Sequence, residues 1–171
     1  IVSTRSGCHL SCTQTCFPAV ETNQGVLAGR ACLADMNQYP KIVDRVVEAL
    51  ESDFNISGDP NEDRDQWMDF LKEVPEHRYQ KDKAKVIYFV GCVAAFFPLV
   101  QKIPQAFVQV LDKSQVDFTT LGGEEWCCGF PLIQMGMPGK MEKLIAHNQE
   151  KVKEIGAETV VFACPSCYHT W

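Results

Sequence analysis

An α/β fold, with a parallel sheet set behind a mainly helical N-terminal region, is what this 171-residue sequence predicts. Three observations predict it. From Lys85 onward, short apolar runs alternate with stretches of helical spacing, in the order strand, helix, strand, helix, strand. Residues 40 to about 80 read as helical and hold no cysteine. Each predicted strand leads into a group of cysteines, and the loops at the carboxyl ends of parallel strands share one edge of a sheet.

The elements follow in order. Pro40 sits in the first turn of a helix that carries Val43, Val46, Val47 and Leu50 on one face. Asn55 to Asn61, with Gly58, Asp59 and Pro60, reads as a loop. Glu62 to Leu71 reads as a short helix, acidic in its first turn as the helix dipole favours, with Trp67, Phe70 and Leu71 buried. The charged stretch Glu76 to Lys85 reads as a solvated linker. Val86 to Val90 is a buried strand. A helix from near Pro104 to Lys113 follows, because proline is tolerated in a first turn but not inside. Val116 to Thr119 is a second strand. Pro138 opens the best-patterned helix, with Met141, Leu144, Ile145, Val152 and Ile155 at helical spacing and Gly156 as its stop. Thr159 to Ala163 is a third strand that ends at Cys164.

Composition narrows the function classes. The chain is 46% hydrophobic and 22% charged, enough apolar content for a core and too little charge for long disorder. A net charge of −6 argues against a nucleic-acid partner. The most apolar stretch, Val86 to Val100, is broken by Gly91, Cys92 and Pro98, so no membrane span and no secretory leader is expected. No phosphate-binding glycine loop is present, and no nucleotide is expected. Ile1 is not a methionine, and Trp171 comes four residues after a CxxC, so the chain reads as part of a longer polypeptide.

Nine cysteines are the strongest signal. Cys8, Cys12 and Cys16 lie near the N-terminus, and Cys32 falls in a predicted helix as a core residue. Five more form the pattern C-x34-CC-x35-C-x2-C: Cys92, Cys127, Cys128, Cys164 and Cys167. Clustered cysteines with CC and CxxC spacing point to metal or redox work in a reducing compartment. Thiolate is a soft ligand for iron–sulfur clusters, zinc or Cu(I). Structural zinc takes four ligands, and adjacent cysteines do not readily bind one small ion together. They can reach different irons of a larger cluster. Gly122, Gly123 and Gly129 would let backbone and inorganic sulfide approach closely. A helix opened by Cys164 and Cys167 would stabilise their thiolates. The alternatives are structural zinc, or a vicinal disulfide at Cys127 and Cys128.

The pattern resembles the cysteine-rich CCG domain, C-x31–39-CC-x35–36-C-x2-C, and all five cysteines fall within its spacing. The flanking words match too: Val90-Gly91-Cys92, Glu125-Trp126-Cys127-Cys128-Gly129 and Cys164-Pro165-Ser166-Cys167. The resemblance covers about residues 85–171. It is to the catalytic subunits of heterodisulfide reductases and related iron–sulfur oxidoreductases. It implies a non-cubane 4Fe-4S cluster held by Cys92, Cys127, Cys128, Cys164 and Cys167, which splits a disulfide. The family often places a ferredoxin-like module first, with C-x2-C-x2-C-x3-C-P motifs. Cys12 and Cys16 match its last two ligands, Cys8 is displaced by one residue, and Ser6 and His9 stand where cysteines are expected. The resemblance therefore implies three regions: residues 1–38, the end of a ferredoxin-like module with a cubane 4Fe-4S cluster; residues 39–84, a helical linker that includes Asp63-Arg64-Asp65-Gln66-Trp67; and residues 85–171, the CCG domain.

Full heterodisulfide reductases carry two CCG domains and this chain shows one. The implied roles are therefore two. One is reduction of a disulfide with electrons from a flavoprotein, a ferredoxin-like subunit or a membrane cytochrome b type subunit. The other is electron transfer between a flavoprotein dehydrogenase of glycolate, lactate or glycerol-3-phosphate type and a quinone-linked acceptor. A zinc-bound scaffold is the third reading. The expected location is cytoplasmic, at the membrane only through a partner. Among other residues, His147 reads as exposed or weakly bonded, and not as catalytic. His169 is near enough to the CxxC to donate a proton to a leaving thiolate, or is a helix-surface histidine. Trp67, Trp126 and Trp171 read as packing. Phe96 and Phe97 either line a substrate pocket or bury the loop after Cys92. Glu124 and Glu125 read as solvated; buried beside an anionic cluster, they would lower its potential. Lys140, Lys143, Lys151 and Lys153 read as the wet face of the long helix.

Overall fold

A computed structural model describes residues 22–171. Cys8, Cys12 and Cys16, and the predicted cubane cluster with them, lie outside the described residues.

The chain enters through helix α1 (Thr22–Asp35) and helix α2 (Ile42–Ser52). Helix α2 buries Val47 and Leu50 on the predicted face. In α1 the buried residue is Arg30, whose Nη1 donates to the Gln134 carbonyl at 2.7 Å. Cys32 is exposed, not a core residue: two positions on from Arg30, it points away from that contact. The loop that follows is organised by Asn55, fully buried, which bonds to Asp53, Ser57, Gly58 and Asp59.

Asn61–Phe70 forms a 3-10 helix rather than an α-helix. Trp67 is buried as expected, but Phe70 is 72% exposed, because the helix runs past the surface it packs on. Glu76 to Lys85 is not a solvated linker. Tyr79 is buried with its ring 5.2 Å from Phe118, and its carbonyl accepts the Thr120 N–H. Arg78 pairs with Asp65 and Asp69. This segment is held by backbone bonds and ion pairs, which leave no hydrophobic period.

The sheet has three parallel strands, β1 (Val86–Phe89), β2 (Phe118–Thr119) and β3 (Thr159–Phe162), in the order β2-β1-β3. Register places Val86 opposite Phe118 and Thr159. Strand β2 is shorter than predicted because the Val116 N–H bonds back to the Leu111 carbonyl, closing the preceding helix. Between β1 and β2 run the short helix α3 (Cys92–Phe96) and α4 (Lys102–Lys113). Between β2 and β3 run α5 (Phe130–Gln134), a 3-10 turn (Pro138–Met141) and α6 (Glu142–Ile155). Helix α7 (Pro165–Thr170) closes the chain.

Two cores flank β1. Phe89 joins Val47, Leu50, Leu132 and Leu144 on one face, while Tyr88 and Val90 join Trp67, Met68, Val108 and Phe118 on the other. Helix α4 thus covers one face through Val108 and α6 the other through Leu144. Central β1 is buried along most of its length, as its unbroken apolar run requires. The connection from β1 runs to β2 on one side, and the connection from β2 crosses back past β1 to β3 on the other, so the carboxyl ends of β1 and β3 flank a topological switch point. Among the described residues no helix is long and apolar enough to cross a membrane.

Candidate metal centre

Each of the three strands delivers cysteines to this edge. Strand β1 ends at Gly91 and Cys92. Gly91 has φ +81°, and a Cβ on it would stand 3.1 Å from the Cys167 Sγ, so this position favours glycine twice over. Beyond β2, a 3-10 turn (Gly122–Glu124) leads to Cys127 and Cys128, and Gly129 at φ +87° starts α5. Strand β3 leads to Cys164, which caps α7, with Cys167 inside its first turn.

All five spaced cysteines come together. Cys92, Cys127, Cys128 and Cys167 are buried in one core cluster, and half-buried Cys164 packs against it. Cys92 and Cys127 Sγ atoms are 3.6 Å apart. The acid–base behaviour of each further sulfur answers to the next, Cys127 with Cys128, Cys128 with Cys167 and Cys167 with Cys164. The sulfurs thus form one continuous row.

Their pKa values alternate along that row. The bond from Cys127 lowers Cys92, with help from the Arg64 cation against the cost of burial. Bonds from Cys127 and Cys167 bring Cys128 down to about 3. The bond from Cys167 brings Cys164 down to about 6. Cys127 and Cys167, the donors, are raised. The backbone also favours anionic sulfur, at Ile56 for Cys92, at Phe130 for Cys128 and at Ser166 and Cys167 for Cys164.

Among the described residues, no three Cys, His, Asp or Glu side chains are grouped as a ready site for a single metal ion. A row of five thiols with several N–H donors suits a larger sulfur-rich group better than a tetrahedral ion with four ligands. By donor chemistry, then, the residues present fit an iron–sulfur cluster.

The loops are fixed by residues other than cysteine. Buried Asn148 on α6 accepts the Trp126 N–H (2.9 Å) and donates to the Trp126 carbonyl (3.0 Å) and, more weakly, to that of Cys127 (3.4 Å). The Cys127 N–H donates to the Phe54 carbonyl at 2.8 Å. Glu125 is fully buried, and one of its oxygens pairs with buried Arg64 at 2.9 Å. Its carboxylate also accepts the Val90 and Gly91 N–H groups, both at 2.8 Å. Burial makes its carboxyl a weaker acid than usual, against the pull of Arg64 and those two donors.

Residues 86–170 match the model of the cysteine-rich CCG domain. Over these residues the chain belongs to the CCG family. A dihydromethanophenazine:CoB–CoM heterodisulfide reductase subunit from Methanosarcina mazei is 34% identical over 155 residues, covering 89% of this chain and 34% of that protein. An uncharacterised iron–sulfur protein of Methanococcus maripaludis is 30% identical over 102 residues, 59% of this chain and 20% of that protein. The EtfAB:quinone oxidoreductase of Syntrophomonas wolfei is 29% identical over 82 residues, 48% of this chain and 12% of that protein. The chain spans about a third or less of the length of these relatives. No solved structure matches it.

Within this CCG domain, several single-residue readings change. Glu125 is buried rather than solvated, because Arg64 and two backbone donors replace water; Glu124 stays outside and pairs with Lys151. His147 is not weakly held. Its ring stacks on Trp126 at 3.6 Å, Trp126 stacks on Phe54 at 3.7 Å, and the His147 Nε2 lies 2.8 Å from the Glu124 carbonyl. Lys143 stays exposed on the wet face, as expected, and lies over the Phe54 and Trp126 rings, with Nζ 5.0 and 5.4 Å from their centres. His169 is exposed on α7, and Phe97 is exposed while Phe96 packs against both cores. Asn61, Arg64 and Asn148 are functional neighbours that the sequence reading missed. Asn148 carries a signal: it sits four residues after Leu144, a polar residue on the buried stripe.

Proposed function

We propose that this chain is an iron–sulfur oxidoreductase subunit of heterodisulfide reductase type. In this reading Cys92, Cys127, Cys128, Cys164 and Cys167 hold a non-cubane 4Fe-4S cluster that supplies one-electron chemistry at a disulfide or related sulfur substrate. Cys12 and Cys16, with Cys8 as a third candidate, hold a cubane 4Fe-4S cluster that receives electrons. A partner subunit delivers them. Residues 1–38, 39–84 and 85–171 serve as the N-terminal module, the connecting region and the catalytic domain. The single observation that carries the reading is the gathering of five thiols, drawn from three strand ends, into one cluster at the switch point of the sheet.

The chain's own residues do four things here. The three strand-end loops bring the ligands together, so the fold supplies the ordering entropy of assembly. The apolar neighbours Leu132, Leu144 and Trp171 exclude water from the sulfurs. The Ile56, Phe130 and Ser166 N–H groups stabilise negative sulfur. Half-buried Cys164 makes the α7 end the more open side, where a sulfur substrate can approach. Cleaving a disulfide to two thiols consumes two electrons and two protons.

Protein purified without air tests this. The expected result is iron and acid-labile sulfide without zinc, and a paramagnetic signal of the oxidised cluster that changes when a thiol is added. A signal that ignores every thiol would favour the second reading, electron transfer towards a quinone-linked acceptor. The Syntrophomonas wolfei relative is the observation behind that alternative. Zinc in place of iron would overturn both.

A further inference from the structure

Arg64 and Glu125 form a buried ion pair with side-chain exposures of 1% and 0%, directly behind the cysteine loops. An isolated buried pair is commonly no more stable than apolar residues of the same volume, so its presence calls for another explanation. Its contacts supply one. Glu125 stands two residues before Cys127, on the loop that follows β2. Its carboxylate takes the last N–H groups of the loop that leads to Cys92, those of Val90 and Gly91. One side chain therefore bridges two of the three cysteine loops. Arg64 comes from the 3-10 helix Asn61–Phe70, upstream of the matched CCG domain. Its guanidinium holds Glu125 through Nη1 and the Asn61 Oδ1 through Nε and Nη2. Asn61 in turn donates to the Gly123 and Glu125 carbonyls at 2.6 and 3.0 Å. Arg64 also lies over the Phe96 ring, 5.3 Å from its centre, on the helix that begins with Cys92. Apart from the Arg64–Asn61 bonds and one from Asn55 to the Asn61 Oδ1, the hydrogen bonds of this cluster go to the Cys92 loop or the Cys127–Cys128 loop.

We propose that Arg64 and Glu125 are positioning residues for the sulfur site. Together they clamp the Cys92 loop to the Cys127–Cys128 loop and fix a positive and a negative charge behind the sulfurs. The segment Asn61–Phe70 is then part of the site, and not a connector outside it. The proposal deepens the function proposed above and rests on it only for the nature of the group held.

The test uses the full chain in four forms: unchanged, Glu125→Gln, Arg64→Lys, and the double variant Arg64→Met with Glu125→Gln. Thermal unfolding of the metal-free forms gives stability. Iron and sulfide content after anaerobic reconstitution gives loading. Redox titration with paramagnetic detection gives potential. Glu125→Gln removes the negative charge near the sulfurs, so the cluster potential shifts upward; Arg64→Lys keeps the charge and stays near the unchanged protein. The double variant removes both charges, recovers stability relative to Glu125→Gln, and still loads several-fold less iron, because a neutral amide cannot hold both loop N–H groups as the carboxylate does. Equal loading and equal potential in all four forms would overturn the proposal. So would a loss of loading that disappears in the double variant as stability returns, since that marks a merely structural pair. If the unchanged protein takes up no iron, the function proposed above fails instead. The clamp is then judged by alkylation of Cys92 and Cys127 in the metal-free forms, several-fold faster in the double variant if it holds and unchanged if it does not.

Discussion

Replacing Asn148 by alanine measures how far the paired-cysteine loop depends on one buried amide. The side chain is fully buried and serves three backbone groups, two of them at 2.9 and 3.0 Å and one at 3.4 Å. Alanine leaves the Trp126 N–H and carbonyl without partners. An unsatisfied buried polar group costs about 1–3 kcal/mol. Two such groups, with the long third bond counted as negligible, give about 2–6 kcal/mol. At about 1.4 kcal/mol per factor of ten, the folding equilibrium falls roughly 30- to 20,000-fold. The assay is urea unfolding of the metal-free chain, with the midpoint falling and the slope retained. Asn148→Asp should be worse than alanine near neutral pH. Its carboxylate can accept the Trp126 N–H but faces two carbonyls with nothing to donate. Alkylation of Cys127 should accelerate in both variants. A stability loss below about 0.5 kcal/mol, the range of an ordinary surface change, together with unaltered Cys127 reactivity, would refute the reasoning.

Further outcomes follow from the same geometry. In the metal-free chain, alkylation of Cys164 by iodoacetamide should rise with a midpoint near pH 6, well below the ordinary thiol value of 9.0, because Cys167 donates to it. The sign for stability is that of a lowered acid: the contribution is complete above about 9.0 and is lost as the pH falls through about 6, which pH-dependent thermal unfolding can follow. Gly129→Ala should destabilise by about 1–3 kcal/mol in denaturant unfolding, since φ is +87° and its Cβ would meet the Met141 Cβ at 2.8 Å.

The sheet was legible because buried parallel strands are short apolar runs, and Val86 to Phe89 is one. The convergence of Cys92, Cys127, Cys128, Cys164 and Cys167 was legible for a topological reason: parallel strands put their following loops on one edge. The support of those cysteines was not. Arg64, in a charged stretch whose period is that of neither an α-helix nor a strand, reads as surface until Glu125 is known to lie opposite it. Glu125 itself follows another glutamate, and nothing in the dipeptide says that one turns inward and the other outward. The segment Glu76 to Lys85 misled for a related reason, because it is anchored by the Tyr79 ring and carbonyl while its neighbours stay wet. Asn148 was the readable exception, a polar residue on the apolar stripe of α6. Burial of polar groups depends on partners distant in sequence, and hydrophobic spacing carries no record of them.

The central claim is that these five thiols hold one iron–sulfur group. The most direct measurement compares iron and acid-labile sulfide in the full chain and in its Cys128→Ala variant, both prepared without air. The account predicts iron and sulfide in both, with the variant losing the share and the paramagnetic signal of the cluster at the strand ends while any share held by Cys12 and Cys16 remains. Identical iron content and an identical spectrum in the two proteins would contradict it.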